Sequence, residues 1–222
     1  MNSLKIFITI TSLVLVGILS GSTSYADDEG QKDYEVTITN LTRGQVITPP
    51  VVISHSKSFQ LFTPGMPAIP ELSILAEDGD TAPLVVYLDT LGNVFESTAS
   101  TTPLLPGESI TLSIRNRGKY SNVSVVGMLA STNDAFFGVQ GIMLPKHGSL
   151  TVEAPAYDAG SEANTESCDH IPGPPCGNHV RMTDGAEGYV HIHAGIHGIG
   201  DLDPAMKDWR NPVAEITVKP VR

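Results

Sequence analysis

The chain has 222 residues, 41% of them hydrophobic, and its 24 acidic and 13 basic residues give a formal net charge of −11. Such a surplus of carboxylates repels the phosphates of nucleic acid and of anionic membranes, so we expect no nucleic-acid partner. Beyond residue 26 no apolar run approaches the roughly 18 to 20 residues of a membrane span, so we expect no span there.

Residues 1–26 have the pattern of a secretory signal peptide. Lys5 supplies a basic start, residues 6–19 form an apolar centre, and a cleavage site of small residues ends at Ala26. We therefore expect a secreted protein, periplasmic or extracellular, whose mature part is a single domain over residues 27–222. A chain of this length buries one substantial core.

Short runs rich in Val, Ile, Thr and Tyr recur along the chain, separated by Gly, Pro, Asn and Asp. This spacing is typical of a β-sandwich or barrel, and we predict an all-β, antiparallel β-sandwich with one short helix and long loops. Two of the runs alternate apolar and polar residues, so each should cover a core with one face. The predicted strands are 34–39, 83–88, 109–114, 122–129, 138–144, 148–153, 189–192 and 213–218.

One segment, residues 70–79, predicts a helix. It begins with Pro70, carries Glu71 in its first turn and ends at Gly79. Residues 156–187 are rich in Gly, Pro, Asp and Glu and predict a long loop, and loops of that length are either functional or disordered.

The two cysteines, Cys168 and Cys176, bracket a turn-prone loop. A disulfide persists in an oxidising compartment, and the spacing of the pair matches no common zinc motif. We predict a disulfide, with a thiolate metal site as the alternative.

Several stretches together resemble the spondin N-terminal domain, especially the stand-alone secreted members found in bacteria. The resemblance runs from about Tyr34 to Val218 and is most specific at TNDAFFG (132–138) and YDAGSEAN (157–164). Supporting stretches are VTITNLT (36–42), Ser-His-Ser (54–56) and LAEDG (75–79).

The resemblance implies an antiparallel β-sandwich with a calcium ion in the loops at one end. It implies Asp158 and Glu162 as carboxylate ligands and Asp134 or a neighbouring residue as a third, and Glu162 stands where the animal proteins usually have Asp. Calcium prefers six to eight oxygen ligands, which carboxylates on two loops supply together with backbone carbonyls. The alternative is that these are solvated loop acids. The adhesion modules of the animal proteins are absent, so their matrix functions do not transfer.

The tract 189–203 holds three of the chain's seven histidines, and the family pattern does not include them. In an extended strand His191 and His193 project from the same face, roughly 6–7 Å apart, and a bend after them can bring His197 closer. Imidazoles favour Zn²⁺ or Cu²⁺ over Ca²⁺. The alternative is that these histidines make ordinary hydrogen bonds on a polar strand face and in a loop.

Three further residues are candidates for a fourth ligand or for orienting an imidazole ring, namely Asp201, Asp203 and His55. For His55, in the Ser-His-Ser motif, the alternative is a buried structural role. The sequence contains no nucleophile elbow and no Walker loop, and the disulfide would leave no free thiol.

The sequence thus predicts a secreted, non-enzymatic, calcium-binding β-sandwich module that acts in adhesion or surface interaction with an extracellular protein or glycan. The alternative is a periplasmic transition-metal binding protein or metalloenzyme that uses His191, His193 and His197.

Overall fold

The computed structural model of the chain describes residues 30–221, and the predicted signal peptide lies outside the described residues. Two antiparallel sheets pack face to face, which confirms the predicted all-β sandwich. The four-stranded sheet has the order β4-β1-β10-β7 and the six-stranded sheet the order β3-β2-β5-β6-β8-β9. The strands are β1 Gln31–Asn40, β2 Val51–His55, β3 Val94–Ala99, β4 Ser109–Arg117, β5 Asn122–Met128, β6 Ala135–Met143, β7 Leu150–Ala154, β8 Ala156–Asp158, β9 His191–Ile192 and β10 Ala214–Pro220.

The four-stranded sheet follows the alternation that its sequence predicts. Along β1 the residues Tyr34, Val36 and Ile38 are buried in the core between the sheets. The residues between them face outward, where the Thr37 hydroxyl lies 2.8 Å from that of Thr111 on the neighbouring strand. One face of this sheet therefore covers the core and the other is polar.

The six-stranded sheet is covered on both faces, so its central strands do not alternate. All residues of β2 and β5 are buried. A second apolar cluster joins this sheet to two helices, α1 Pro70–Asp78 and α2 Ala82–Asp89. The molecule thus has a third, helical layer. Of the two uniformly buried strands, the sequence predicted β5 and did not reveal β2.

The structure describes three helices where the sequence predicted one. Helix α1 confirms the predicted helix at 70–79. The predicted strand at 83–88 is wrong, because this segment forms most of α2, where Leu84 and Leu88 are buried one helical turn apart. A short apolar run does not reveal whether it packs as a strand or as a helix. The third helix, α3, is Pro204–Lys207.

The strand pairing places Asp134, Asp158 and His191 at one end of the six-stranded sheet. Asp134 directly precedes β6, whose first residue, Ala135, pairs with Asp158, and Asp158 in turn pairs with His191. We call this the acid end. The loop that follows β1 of the four-stranded sheet reaches the same end, where the Gln45 side chain donates to the carbonyl of Ser131.

The predicted disulfide between Cys168 and Cys176 is present in the long loop between β8 and β9. Within residues 30–221 no helix has both the length and the apolar character that crossing a membrane requires.

Candidate metal centre

Asp158 lies at the centre of the acid end, because it is the last residue of β8 and its side chain is fully buried. One carboxylate oxygen, Oδ1, accepts a hydrogen bond from the Gly160 amide at 2.7 Å. The other, Oδ2, accepts from the Asn164 amide at 2.6 Å. Gly160 has a φ of 68°, and a Cβ there would lie 2.3 Å from the Tyr189 carbonyl oxygen, so the turn beside Asp158 requires glycine.

Three side chains at this end have the spacing of ligands to one metal ion. Asp158, Glu187 and His191 each offer one ligand atom, and these atoms all lie within 4.8 Å of one another. Asp158 is buried, His191 is half-buried and Glu187 is exposed, so the group opens to solvent on the Glu187 side. Among the described residues this is the one group of His, Cys, Asp and Glu with that spacing.

The ring of His191 is oriented to present a lone pair to this group. Its Nδ1 lies 3.0 Å from the Ile192 carbonyl oxygen, and a carbonyl only accepts, so Nδ1 carries a proton. In the neutral ring Nε2 is then unprotonated, and it lies 3.6 Å from Asp158 Oδ1. This Nε2 is buried and has no hydrogen-bond partner among residues 30–221. The nitrogen lone pair of His191 and the Asp158 carboxylate repel each other unless a cation or a proton lies between them.

His193 reaches the same carboxylate but presents the opposite tautomer. The Gly195 amide donates to its Nδ1 at 3.0 Å, so Nε2 carries the proton and donates to Asn164 Oδ1 at 3.1 Å. Burial lowers the pKa of His193 to about 4, which keeps the ring neutral. In this arrangement both ring nitrogens of His193 are used within the protein.

His197 is exposed, and its backbone rather than its ring is fixed. The buried carboxylate of Glu166 accepts from the amides of His197 at 2.6 Å, Gly198 at 2.7 Å and Ile199 at 3.0 Å. The structure therefore brings His191 and His193 to Asp158 and does not bring the three predicted imidazoles to a common point.

The three acids of the predicted calcium set lie at the same end but are not all within ligand spacing of one another. Asp134 Oδ2 accepts from the amides of Ser161 at 2.7 Å and Glu162 at 3.0 Å. Its Oδ1 is fully buried and has no partner among the described residues. Glu162 Oε1 accepts from the Met182 amide at 2.8 Å, in the loop that leads to Glu187.

Burial makes the acid end an unfavourable place for several negative charges. Burial, and after it the charge of Asp158, raises the pKa of Asp134 to about 8. Burial also raises the pKa of Asp158, and it raises the pKa of Glu162 to about 7. Removing carboxylates from water disfavours their charged form, and a bound cation reverses that effect.

The guanidinium of Arg181 lies beside these acids, and within residues 30–221 it forms no ion pair with Asp158. The guanidinium of Arg181 lies 2.8 Å from Glu77 and 2.5 Å from Asp78, both in the last turn of α1. Arg181 therefore neutralises the acids on the side of the acid end that faces α1. It does not neutralise the carboxylate of Asp158.

The remaining candidates have structural roles in the described part of the chain. His55 is buried in β2, with Nε2 2.7 Å from the Ser124 hydroxyl and Nδ1 2.8 Å from the Ser56 carbonyl oxygen. Asp201 accepts from the Cys168 amide at 2.9 Å. Asp203 begins α3 by accepting from the Ala205 amide at 2.9 Å.

Two residues of the site, Glu187 and Asn164, were not predicted from the sequence. Asn164 bridges the site, since it donates to Asp158 and Glu187 and accepts from His193. It belongs to the YDAGSEAN stretch, and Glu187 ends the acidic loop that the sequence marks as functional or disordered. Glu187 lies four residues before His191, so a short-range spacing was available for it, whereas Asn164 lies 27 residues before His191 and only the fold brings those two together.

Comparison with protein-family models and with curated proteins found no match to this chain.

Proposed function

We propose that this chain is a secreted, non-enzymatic β-sandwich module that binds one divalent transition metal ion through Asp158, Glu187 and His191. The observation that carries the proposal is the buried Nε2 lone pair of His191, which faces the Asp158 carboxylate at 3.6 Å without a hydrogen-bond partner in the described chain. A metal ion between the two groups replaces their repulsion with two bonds.

The ligand set favours a borderline metal such as zinc over calcium. Two carboxylates and one neutral imidazole form a mixed oxygen and nitrogen set, whereas calcium sites are built from oxygen. Asn164 and the Gly160 amide hold the Asp158 carboxylate, and the Ile192 carbonyl fixes the His191 tautomer, as hydrogen bonds around metal ligands commonly do. The exposed Glu187 side leaves room for water as a further ligand.

A calcium site at Asp134, Asp158 and Glu162 is the second candidate, and a separate observation favours it. Asp134 Oδ1 is a fully buried carboxylate oxygen without a partner among the described residues, and such an oxygen is costly unless a proton or a cation satisfies it. The resemblance to the spondin N-terminal domain supports this candidate and, with it, an extracellular protein or glycan partner. Asp158 belongs to both sets, so the two candidates compete for one ligand.

Calorimetric titration of the tag-free protein separates the candidates, with Zn²⁺ and Ca²⁺ as the two probes. For the wild-type protein we expect one equivalent of Zn²⁺ to bind, and we expect His191→Gln to weaken that binding by at least about tenfold, because a ligand is lost. The matched control is His147→Gln, an exposed histidine outside the acid end, which should bind Zn²⁺ as the wild type does.

Two results would overturn the zinc proposal: no Zn²⁺ binding to the wild-type protein, or equal binding to His191→Gln. Calcium binding that Asp134→Asn abolishes and His191→Gln leaves intact would instead support the second candidate.

A further inference from the structure

Six of the chain's 13 basic residues gather at the end of the sandwich opposite the acid end. There the start of β1 pairs with the end of β4 and with the end of β10, as in Gln31 opposite Arg117 and Tyr34 opposite Pro220. We call this the lysine end, and its basic residues are Lys32, Arg115, Arg117, Lys119, Lys146 and Lys219. An acidic chain thus carries a local surplus of positive charge.

An open cavity of about 610 Å³ lies at the lysine end. Lys32, Lys146, His147 and Lys219 line it, and Asp33 is its one acidic lining residue. Pro220 and Val221 add an apolar surface beside these cations.

A second cavity of about 180 Å³ continues the first, because Lys32 and Lys146 line both. No acidic residue lines this second cavity among the described residues. The two cavities form an elongated track with two lysines at its middle, which suits a chain of repeated anionic units better than a single small anion.

The lysines at the middle of the track are available to a ligand. Lys32 continues the inward-facing series of β1, two residues before the buried Tyr34, so it projects at the mouth between the two sheets. Lys219 is paired with Glu35 at 2.8 Å and Arg115 with Glu96 at 2.7 Å. Within residues 30–221 neither Lys32 nor Lys146 forms an ion pair.

The track also holds a hydrogen-bond acceptor, the side-chain oxygen of Asn116, to which no described residue donates. Asn116, which lines the second cavity, is 8% exposed, and its Oδ1 is buried without a hydrogen-bond partner. A buried acceptor of this kind requires a donor. Sulfate and carboxylate groups bring negative charge but no donor, whereas a sugar ring that carries such a group also brings hydroxyl donors and an apolar C–H face.

We propose that the lysine end binds an anionic polysaccharide. Lys32 and Lys146 contact its carboxylate or sulfate groups, Asn116 Oδ1 accepts from a sugar hydroxyl, and Pro220 and Val221 contact a ring face. This site is independent of the metal centre, since the two lie at opposite ends of the sandwich.

Binding to immobilised polygalacturonate in the presence of chelator tests this proposal without involving the metal centre. The wild-type protein should bind, and the affinity should fall as salt rises, because exposed charges are screened. Lys32→Gln/Lys146→Gln should weaken binding by at least about tenfold, through loss of two charge-assisted contacts. The control for Lys146→Gln alone is Lys57→Gln, which replaces an exposed lysine outside both cavities. Lys57→Gln should change the affinity for polygalacturonate little.

The role of Asn116 is tested with a polymer that has charge but no hydroxyl groups. Asn116→Ala should weaken polygalacturonate binding by about fivefold, the equivalent of one hydrogen bond, and should leave polyvinyl sulfonate binding unchanged. The proposal is overturned if the wild-type protein does not bind polygalacturonate, if the lysine variants bind as the wild type does, or if duplex DNA or an acidic protein binds more tightly than the polysaccharide.

Discussion

The carboxylate of Asp158 lies near two imidazoles, those of His191 and His193, which have opposite tautomers. The Gly195 amide occupies the lone pair of His193, whereas the Ile192 carbonyl leaves the lone pair of His191 free to bind a cation. The sequence could predict that histidines and acids gather here, because their residue types are those of metal ligands. It could not predict which histidine has a free lone pair, since backbone groups of the folded chain determine that.

Asp134 gives the acid end a measurable pH dependence in chelator. Its carboxyl has an ordinary pKa of 3.8, raised to about 8 in the folded protein, so between these values the folded state retains a proton that the unfolded chain releases. Its contribution to stability is therefore present below about pH 4 and is lost as the pH rises towards 8. Asp134→Asn does not ionise and avoids this loss.

The expected result is that the free energy of unfolding of Asp134→Asn rises relative to wild type from pH 5 to pH 8. Urea denaturation at several pH values in chelator measures this difference. Below its ordinary pKa of 6.5, the neutral His193 makes the free energy of unfolding fall as the pH falls. This effect is equal in the wild type and in Asp134→Asn. A difference between the two proteins that does not change with pH would contradict the assignment of Asp134.

The alternating strands of the four-stranded sheet were predictable from the sequence, whereas the uniformly buried strands were predictable only in part, since β5 was predicted and β2 was not. Strands β1, β4 and β10 alternate and were predicted, whereas β2 is buried on both faces and α2 was taken for a strand. The site depends on the two shortest strands, β8 and β9, of three and two residues. Segments this short have no periodicity, so their pairing was not visible in the sequence.

The loop after β9 depends on one buried carboxylate. Glu166 accepts three backbone amides at residues 197–199, and an amide side chain in its place would lose the charge and turn a donor towards those N–H groups. We expect Glu166→Gln to lower the free energy of unfolding by about 2 kcal/mol, the size of hydrogen bonds to a charged group.

Urea denaturation in chelator measures that change, with the exposed Glu187→Gln as the control, which should stay within about 0.5 kcal/mol of wild type. Hydrogen exchange at the amides of residues 197–199 should become faster in Glu166→Gln. Equal stability of the two variants would show that Glu166 does not hold this loop.

The described chain places a group of buried carboxylates and a group of six basic residues at opposite ends of the sandwich. Buried carboxylates and the His191 lone pair lie at one end, and Lys32 and Lys146 lie at the other. The sequence predicted the sandwich and the carboxylate-rich loops, and the net charge led us to expect no nucleic-acid partner. The net charge did not show this separation, because it depends on strand register, which pairs the start of β1 with the end of β4.

The most direct test of the metal-binding proposal is anomalous scattering at the zinc edge from crystals of the tag-free protein soaked in Zn²⁺. Zinc bound at this site gives one strong peak about 2.0 to 2.2 Å from His191 Nε2 and from a carboxylate oxygen of both Asp158 and Glu187. The proposal would be contradicted by the absence of a peak at these atoms, or by a peak held by Asp134 and Glu162 without His191.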